Sequence, residues 1–110
     1  MGHNLTETEM VYVDLQNNAD IERIHIASQP TRLQILNLLT QNKRMYATQI
    51  GSKLSIDRKI VSFHLKALEE VELVTSKYDL SEDKRPSAVK YYALTAGGKE
   101  VLERILQMIS

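Results

Sequence analysis

The chain has 110 residues, 43% hydrophobic and 25% charged, with 14 basic and 14 acidic side chains that cancel, which fits one domain with a single core and argues against a protein that coats nucleic acid indiscriminately. No run approaches the ~18 apolar residues of a membrane span and no start resembles a signal peptide, so a cytoplasmic protein without a membrane is expected. The absence of cysteine removes disulfides, thiolate metal sites and redox switching.

In chain order, Met1-Gly2-His3 has the look of an expression remnant, and the apolar run 10–15 leans to a short strand. Residues 1–19 are therefore set apart as an amino-terminal arm, and 20–110 are read as the folded domain. Asn17-Asn18-Ala19-Asp20 reads as a turn and cap, after which Ile21, Ile24 and Ala27 give a helical stripe ending before Pro30. Pro30 opens a second, core helix carrying Leu33, Ile35, Leu36, Leu38 and Leu39. A break at Gln41-Asn42-Lys43-Arg44 precedes a third helix with Ala47, Ile50 and Leu54. Its Gly51 costs about 1 kcal/mol relative to Ala inside a helix, which suggests that the next helix crosses too closely for a side chain.

That next helix, from Ser55 to Glu69, has two faces. Val61, Leu65 and Leu68 recur at core spacing, whereas Arg58, Lys59, Ser62, Phe63 and Lys66 fall on the other side. Cations, a hydroxyl and an aromatic ring without an acid suit phosphate and base-edge contacts, and Asp57 is placed to cap the helix start. The surroundings are basic as well. Between residues 23 and 68, Arg23, Arg32, Lys43, Arg44, Lys53, Arg58, Lys59 and Lys66 face one acid, Asp57, while Glu7, Glu9, Asp14, Asp20 and Glu22 precede them.

Residues 73–78 and 89–94 are β-branched and aromatic, joined by a polar stretch 79–87, and predict a hairpin. Tyr91 and Tyr92 must point to opposite faces, one to the core and one to the rim. Thr95 then caps a last helix, whose Val101, Leu102, Ile105, Leu106, Met108 and Ile109 exceed one narrow apolar face and suggest a partner.

The order helix, helix, helix-turn-helix, hairpin, helix resembles the winged helix-turn-helix repressors of the ArsR type. The resemblance is carried by Ala27-Ser28-Gln29-Pro30-Thr31-Arg32-Leu33-Gln34-Ile35-Leu36, by Val61-Ser62-Phe63-His64-Leu65-Lys66-Ala67-Leu68 and by Tyr92-Ala93-Leu94-Thr95. It implies a mainly α fold with a β-hairpin wing and a symmetric dimer through the terminal helices. It further implies repression of transcription until an effector, often a metal ion, releases the protein from DNA. Three features depart from that pattern. Glu72 stands where the family commonly has Gly, the tip 79–87 is longer than in the shortest members, and neither cysteines nor a histidine on the last helix are present to sense a metal.

The expectation is thus a homodimeric regulator, a repressor, of double-stranded DNA at an approximately palindromic site. No cofactor or metal site is expected, and a small-molecule effector is left unidentified. The DNA-contacting candidates are Arg58, Lys59, Ser62, Phe63, His64, Lys66, Lys84 and Arg85, and the dimerisation candidates are Ile21, Ile24, Leu102, Ile105, Leu106 and Ile109. Phe63 can meet a thymine methyl or fold against the hairpin or a partner, and His64, at the edge between the faces, suits either a phosphate or a half-buried structural place. Lys84-Arg85 can reach the minor groove or remain a loop balanced by Glu82 and Asp83, and Tyr46 can pack or offer its hydroxyl to a phosphate. His25 has Glu22 as its only ligand-type neighbour at helical spacing, too few for zinc. No glycine-rich phosphate loop, acid pair or nucleophile with a base points to an enzyme. The competing reading is a winged-helix module for protein–protein assembly, because fold does not dictate function.

Overall fold

The computed structural model describes residues 18–81 and 87–109. Their elements are α1 (Asn18–Ala27), α2 (Pro30–Gln41), β1 (Met45–Tyr46), α3 (Ala47–Leu54), α4 (Arg58–Glu70), β2 (Val74–Leu80), β3 (Ala88–Leu94) and α5 (Ala96–Ile109). This is the mainly α architecture with a hairpin wing that the sequence predicts. Asn18 and Ala19, expected in a turn before the domain, are already helical, since polar and acidic residues suit a first helical turn. The strand expected at 10–15 lies outside the described residues.

The helices start where their caps allow. Gln29 accepts a hydrogen bond from the Arg32 amide at 3.0 Å and Pro30 opens α2, so an orphan amide is satisfied and the missing proline N–H costs nothing. The core gathers Ile35 and Leu36 of α2, Ile50 of α3, and Val61, Leu65 and Leu68 of α4, all fully buried. Leu73, Val74, Val101, Leu102 and Ile105 close it from the wing and α5.

The sheet differs from the expected two-stranded hairpin. It has three antiparallel strands in the order β1-β3-β2, with Met45 opposite Tyr92 and Tyr46 opposite Tyr91. Two residues show no alternation to read. Both Tyr91 and Tyr92 are buried, so neither is the expected rim residue. Tyr92 belongs to the core, while Tyr91 lies on the opposite face, covered by Arg44 at 3.8 Å from its ring centroid and by the edge-on Tyr46 ring.

The close contact expected at Gly51 is present, but its partner is turn backbone rather than a crossing helix. A Cβ there would stand 2.6 Å from the Ile56 carbonyl oxygen. Ser55 takes the left-handed conformation, φ 57°, and the Ile56 amide returns to the Gly51 carbonyl at 2.9 Å. Asp57 then caps α4, accepting from the Lys59 amide at 2.8 Å.

At the other end α4 closes with a Schellman arrangement. The Leu73 amide donates to Leu68 at 3.0 Å and that of Glu72 to Glu69 at 2.9 Å, which places Glu72 at the left-handed position with φ 62°. The Thr95 hydroxyl donates to the carbonyls of Glu72 at 2.7 Å and Leu73 at 3.0 Å, and accepts from the Gly98 amide at 2.9 Å as it caps α5. A Cβ on Gly98 would lie 2.0 Å from the Leu73 carbonyl oxygen.

Two substitutions should therefore move stability in opposite directions. Glu72→Gly relieves a left-handed residue and should raise unfolding free energy by about 0.5–1 kcal/mol, whereas Gly98→Ala should lower it by about 1–3 kcal/mol. Urea denaturation checks both. Equal midpoints for Glu72→Gly and the parent would mean that the turn stores no strain.

Candidate nucleic-acid interface

The two faces read from the spacing of α4 are the faces it presents. Val61 and Leu65 are sealed inward, while Arg58, Lys59, Phe63 and Lys66 are exposed and Ser62 is half-buried. Phe63 keeps 65% of its surface in contact with solvent and Ile60 keeps 51%. Ile60, three residues before Phe63 and passed over in the sequence, extends the outer face with a second apolar group.

Several cations of the domain pair with acids, whereas Lys43, Lys53 and Lys99 among the described residues do not. Arg23 pairs with Asp20 at 3.4 Å, Arg44 with Asp79 at 2.8 Å, and Lys90 with Glu69 and Arg104 with Glu100 at 4.0 Å each. Among the described residues, Arg58, Lys59 and Lys66 have no such acid. Asp57, the acid nearest to them in sequence, is held by its cap. The result is an outer helix face whose positive charge is uncompensated and open to a polyanion. Beside its start, Thr48, Ser52, Ile56 and Arg58 line a shallow depression of about 330 Å³.

His64 does not share that face. It is 8% exposed, and its Nδ1 accepts a hydrogen bond from Arg32 Nε at 3.0 Å, so the structure puts it in the structural place. Burial, and then the adjacent Arg32 charge, hold its pKa below the ordinary 6.5. Arg32 is the residue that sequence reasoning missed. Its partner stands 32 positions away, and no helical period links the two.

In the wing, Tyr78 is exposed on β2, and Lys90 lies 6.0 Å from its ring centroid. The hydrogen bond and charge of Arg44 keep the Asp79 carboxyl below the usual carboxylate range. Lys84 and Arg85 lie outside the described residues. Tyr46 packs its ring against Tyr91, the centroids 5.5 Å apart.

Of the residues expected at a dimer contact, Leu102 and Ile105 are 3% and 4% exposed within their own domain. They are core, and Ile24 is half-buried against it. The apolar surface left open on α1 and α5 is Ile21, Leu106, Met108 and Ile109, on helices that pack together. Among the described residues no three His, Asp or Glu side chains gather to hold a metal ion, and no helix is long and apolar enough to cross a membrane.

Residues 29–76, which hold α2, β1, α3, α4 and the start of β2, match the family described as bacterial regulatory protein, arsR family. Among solved structures, the chain is similar to a possible transcriptional regulator for arsenical resistance, with 26% identity and a TM-score of 0.60 over 80% of this chain and 83% of that one. A transcriptional regulator homologue from Pyrococcus horikoshii OT3 aligns at 21% identity and a TM-score of 0.68 over 92% and 90%. The transcriptional repressor PagR of Bacillus anthracis aligns at 23% and 0.64 over 86% and 98%; these latter two likenesses are of fold. No curated protein matches the chain. Residues 29–76 thus match the arsR family of bacterial regulatory proteins, and the chain as a whole is similar in fold to winged-helix transcriptional regulators.

Proposed function

We propose that the chain is a cytoplasmic, homodimeric repressor that binds a specific, approximately palindromic duplex site through α4. The observation that carries this reading is the outer face of α4, where Arg58, Lys59 and Lys66 lack acidic partners among the described residues beside the exposed Phe63. In a helix-turn-helix the amino-terminal residues of the second helix reach base edges. Arg58, Lys59 and Ser62 occupy that end, and Lys66, a turn later, is better placed for backbone phosphate. Phe63 offers apolar contact to a thymine methyl, and Lys84 and Arg85, which lie outside the described residues, are proposed as minor-groove contacts on their charge alone.

The dimer is proposed through α1 and α5, whose open residues Ile21, Leu106, Met108 and Ile109 form an apolar surface that a two-fold contact would cover. The chain has no cysteine and no three His, Asp or Glu side chains gather among the described residues, so the proposed regulation does not use a bound transition metal. A small-molecule effector is the alternative consistent with these residues.

Direct and positioning contacts should separate in binding assays on cognate and scrambled duplexes across a salt series. Arg58→Ala or Lys59→Ala should cost roughly 1–3 kcal/mol on the cognate site and relax discrimination at one base position, while Lys66→Ala should weaken all sequences alike and lower the salt slope by about one. No duplex binding at any salt by the folded parent would replace this reading with a protein-assembly module. Independently, Leu106→Glu with Ile109→Glu should convert dimers to monomers in sedimentation, and a parent chain already monomeric at micromolar concentration would refute the proposed contact.

A further inference from the structure

His64 is the one buried polar or charged residue among those described, and it lies on the helix whose outer face carries the proposed DNA contacts. A buried imidazole is costly unless its nitrogens find partners. Here Nδ1 accepts from Arg32 Nε at 3.0 Å, so the acceptor nitrogen carries no proton and the ring is neutral. Arg32 is itself fixed. Its backbone amide is held by the Gln29 side chain at 3.0 Å, and Nη1 donates to the Ile26 carbonyl at the end of α1 at 3.1 Å.

The same guanidinium lies 6.0 Å from the centroid of the Phe63 ring, and that ring meets His64 edge-on with centroids 5.4 Å apart. One arginine, anchored in the corner between α1 and α2, therefore engages two consecutive residues of α4, one facing inward and one facing solvent. We propose that Arg32 and His64 are positioning residues for the recognition helix, holding α4 and the Phe63 ring in the pose that discriminates between DNA sequences. The proposal rests on the reading of α4 as the DNA-contacting helix and adds what holds it in place.

A pH dependence follows from the geometry. Among the described residues Arg32, on α2, is the charged group whose field acts on His64; α1 contributes the Ile26 carbonyl to the same cluster. A proton on Nδ1 would remove the acceptor and set two cations against each other. Because burial and Arg32 keep the folded value below 6.5, the neutral joint is fully favoured above 6.5 and its contribution is lost as pH falls through that value toward the lower folded one.

The test uses the full chain, a labelled duplex that the parent enriches from a random pool, and a scrambled duplex of the same length. His64→Leu and Arg32→Met should each reduce the preference for the enriched duplex by about tenfold, the scale of one lost base contact, with helical content retained by circular dichroism. His64→Asn keeps an acceptor oxygen near the place of Nδ1 and cannot titrate. It should retain the parent's discrimination, and it should lack the loss of affinity that the parent shows as pH falls below 6.5. Folded Leu and Met variants that discriminate like the parent would overturn the proposal, as would a His64→Asn pH profile identical to the parent's. The comparison with Asn stands even where the Leu variant does not fold. If the parent enriches no duplex at all, the DNA reading of α4 falls and this inference falls with it; if the parent enriches one and the variants behave alike, only the inference falls.

Discussion

The contact between Gly51 and the Ile56 carbonyl, with room for no Cβ, is the constraint on which the placement of α4 depends. A side chain at residue 51 would push the turn away from α3, and the cap by Asp57 and the burial of Val61 follow directly from that turn. Left-handed Ser55 allows the chain to reverse within so few residues. The cationic face is therefore aimed outward by a steric condition at the start of the helix and by apolar burial along its other side.

Two further attachments fix the same helix along its length. His64 meets Arg32 at mid-helix, and at the far end Glu69 accepts from the Ser76 hydroxyl and pairs with Lys90, which joins α4 to both strands of the wing. An acid in the last turn is unfavourable to the helix dipole, so Glu69 is better understood as a link to the wing than as a helix-stabilising residue. The wing is tied down again where the Thr95 hydroxyl donates to the Glu72 and Leu73 carbonyls. A helix held at its start, middle and end keeps its outer side chains in one geometry, and base-edge recognition depends on that.

Much of this was legible because it is set by residues close together in sequence. The inner and outer faces of α4, the Asp57 cap, the proline opening of α2 and the hairpin all follow from local patterns. What escaped was set by residues distant in sequence. Strand β1 is two residues long and exists only through pairing with Tyr91 and Tyr92, and Tyr91 is buried because Arg44 arrives from another loop. Leu102 and Ile105 show the limit of counting apolar positions. A stripe wider than one face indicates surplus area, but which members of it the domain itself covers depends on how α1, α2 and α5 meet. The exposure of the outer cations of α4 was legible in the charge pattern, whereas the contact between Arg32 and His64 needed the fold that brings α2 to α4.

The most direct measurement of the central claim, that the outer face of α4 reads a duplex sequence, is selection of bound duplexes from a random pool by the full chain. The account predicts enrichment of an approximately palindromic site whose half-site centres lie one helical turn, about 34 Å, or a multiple of it apart. A pool unchanged after repeated rounds, at low as well as at moderate salt, would contradict it.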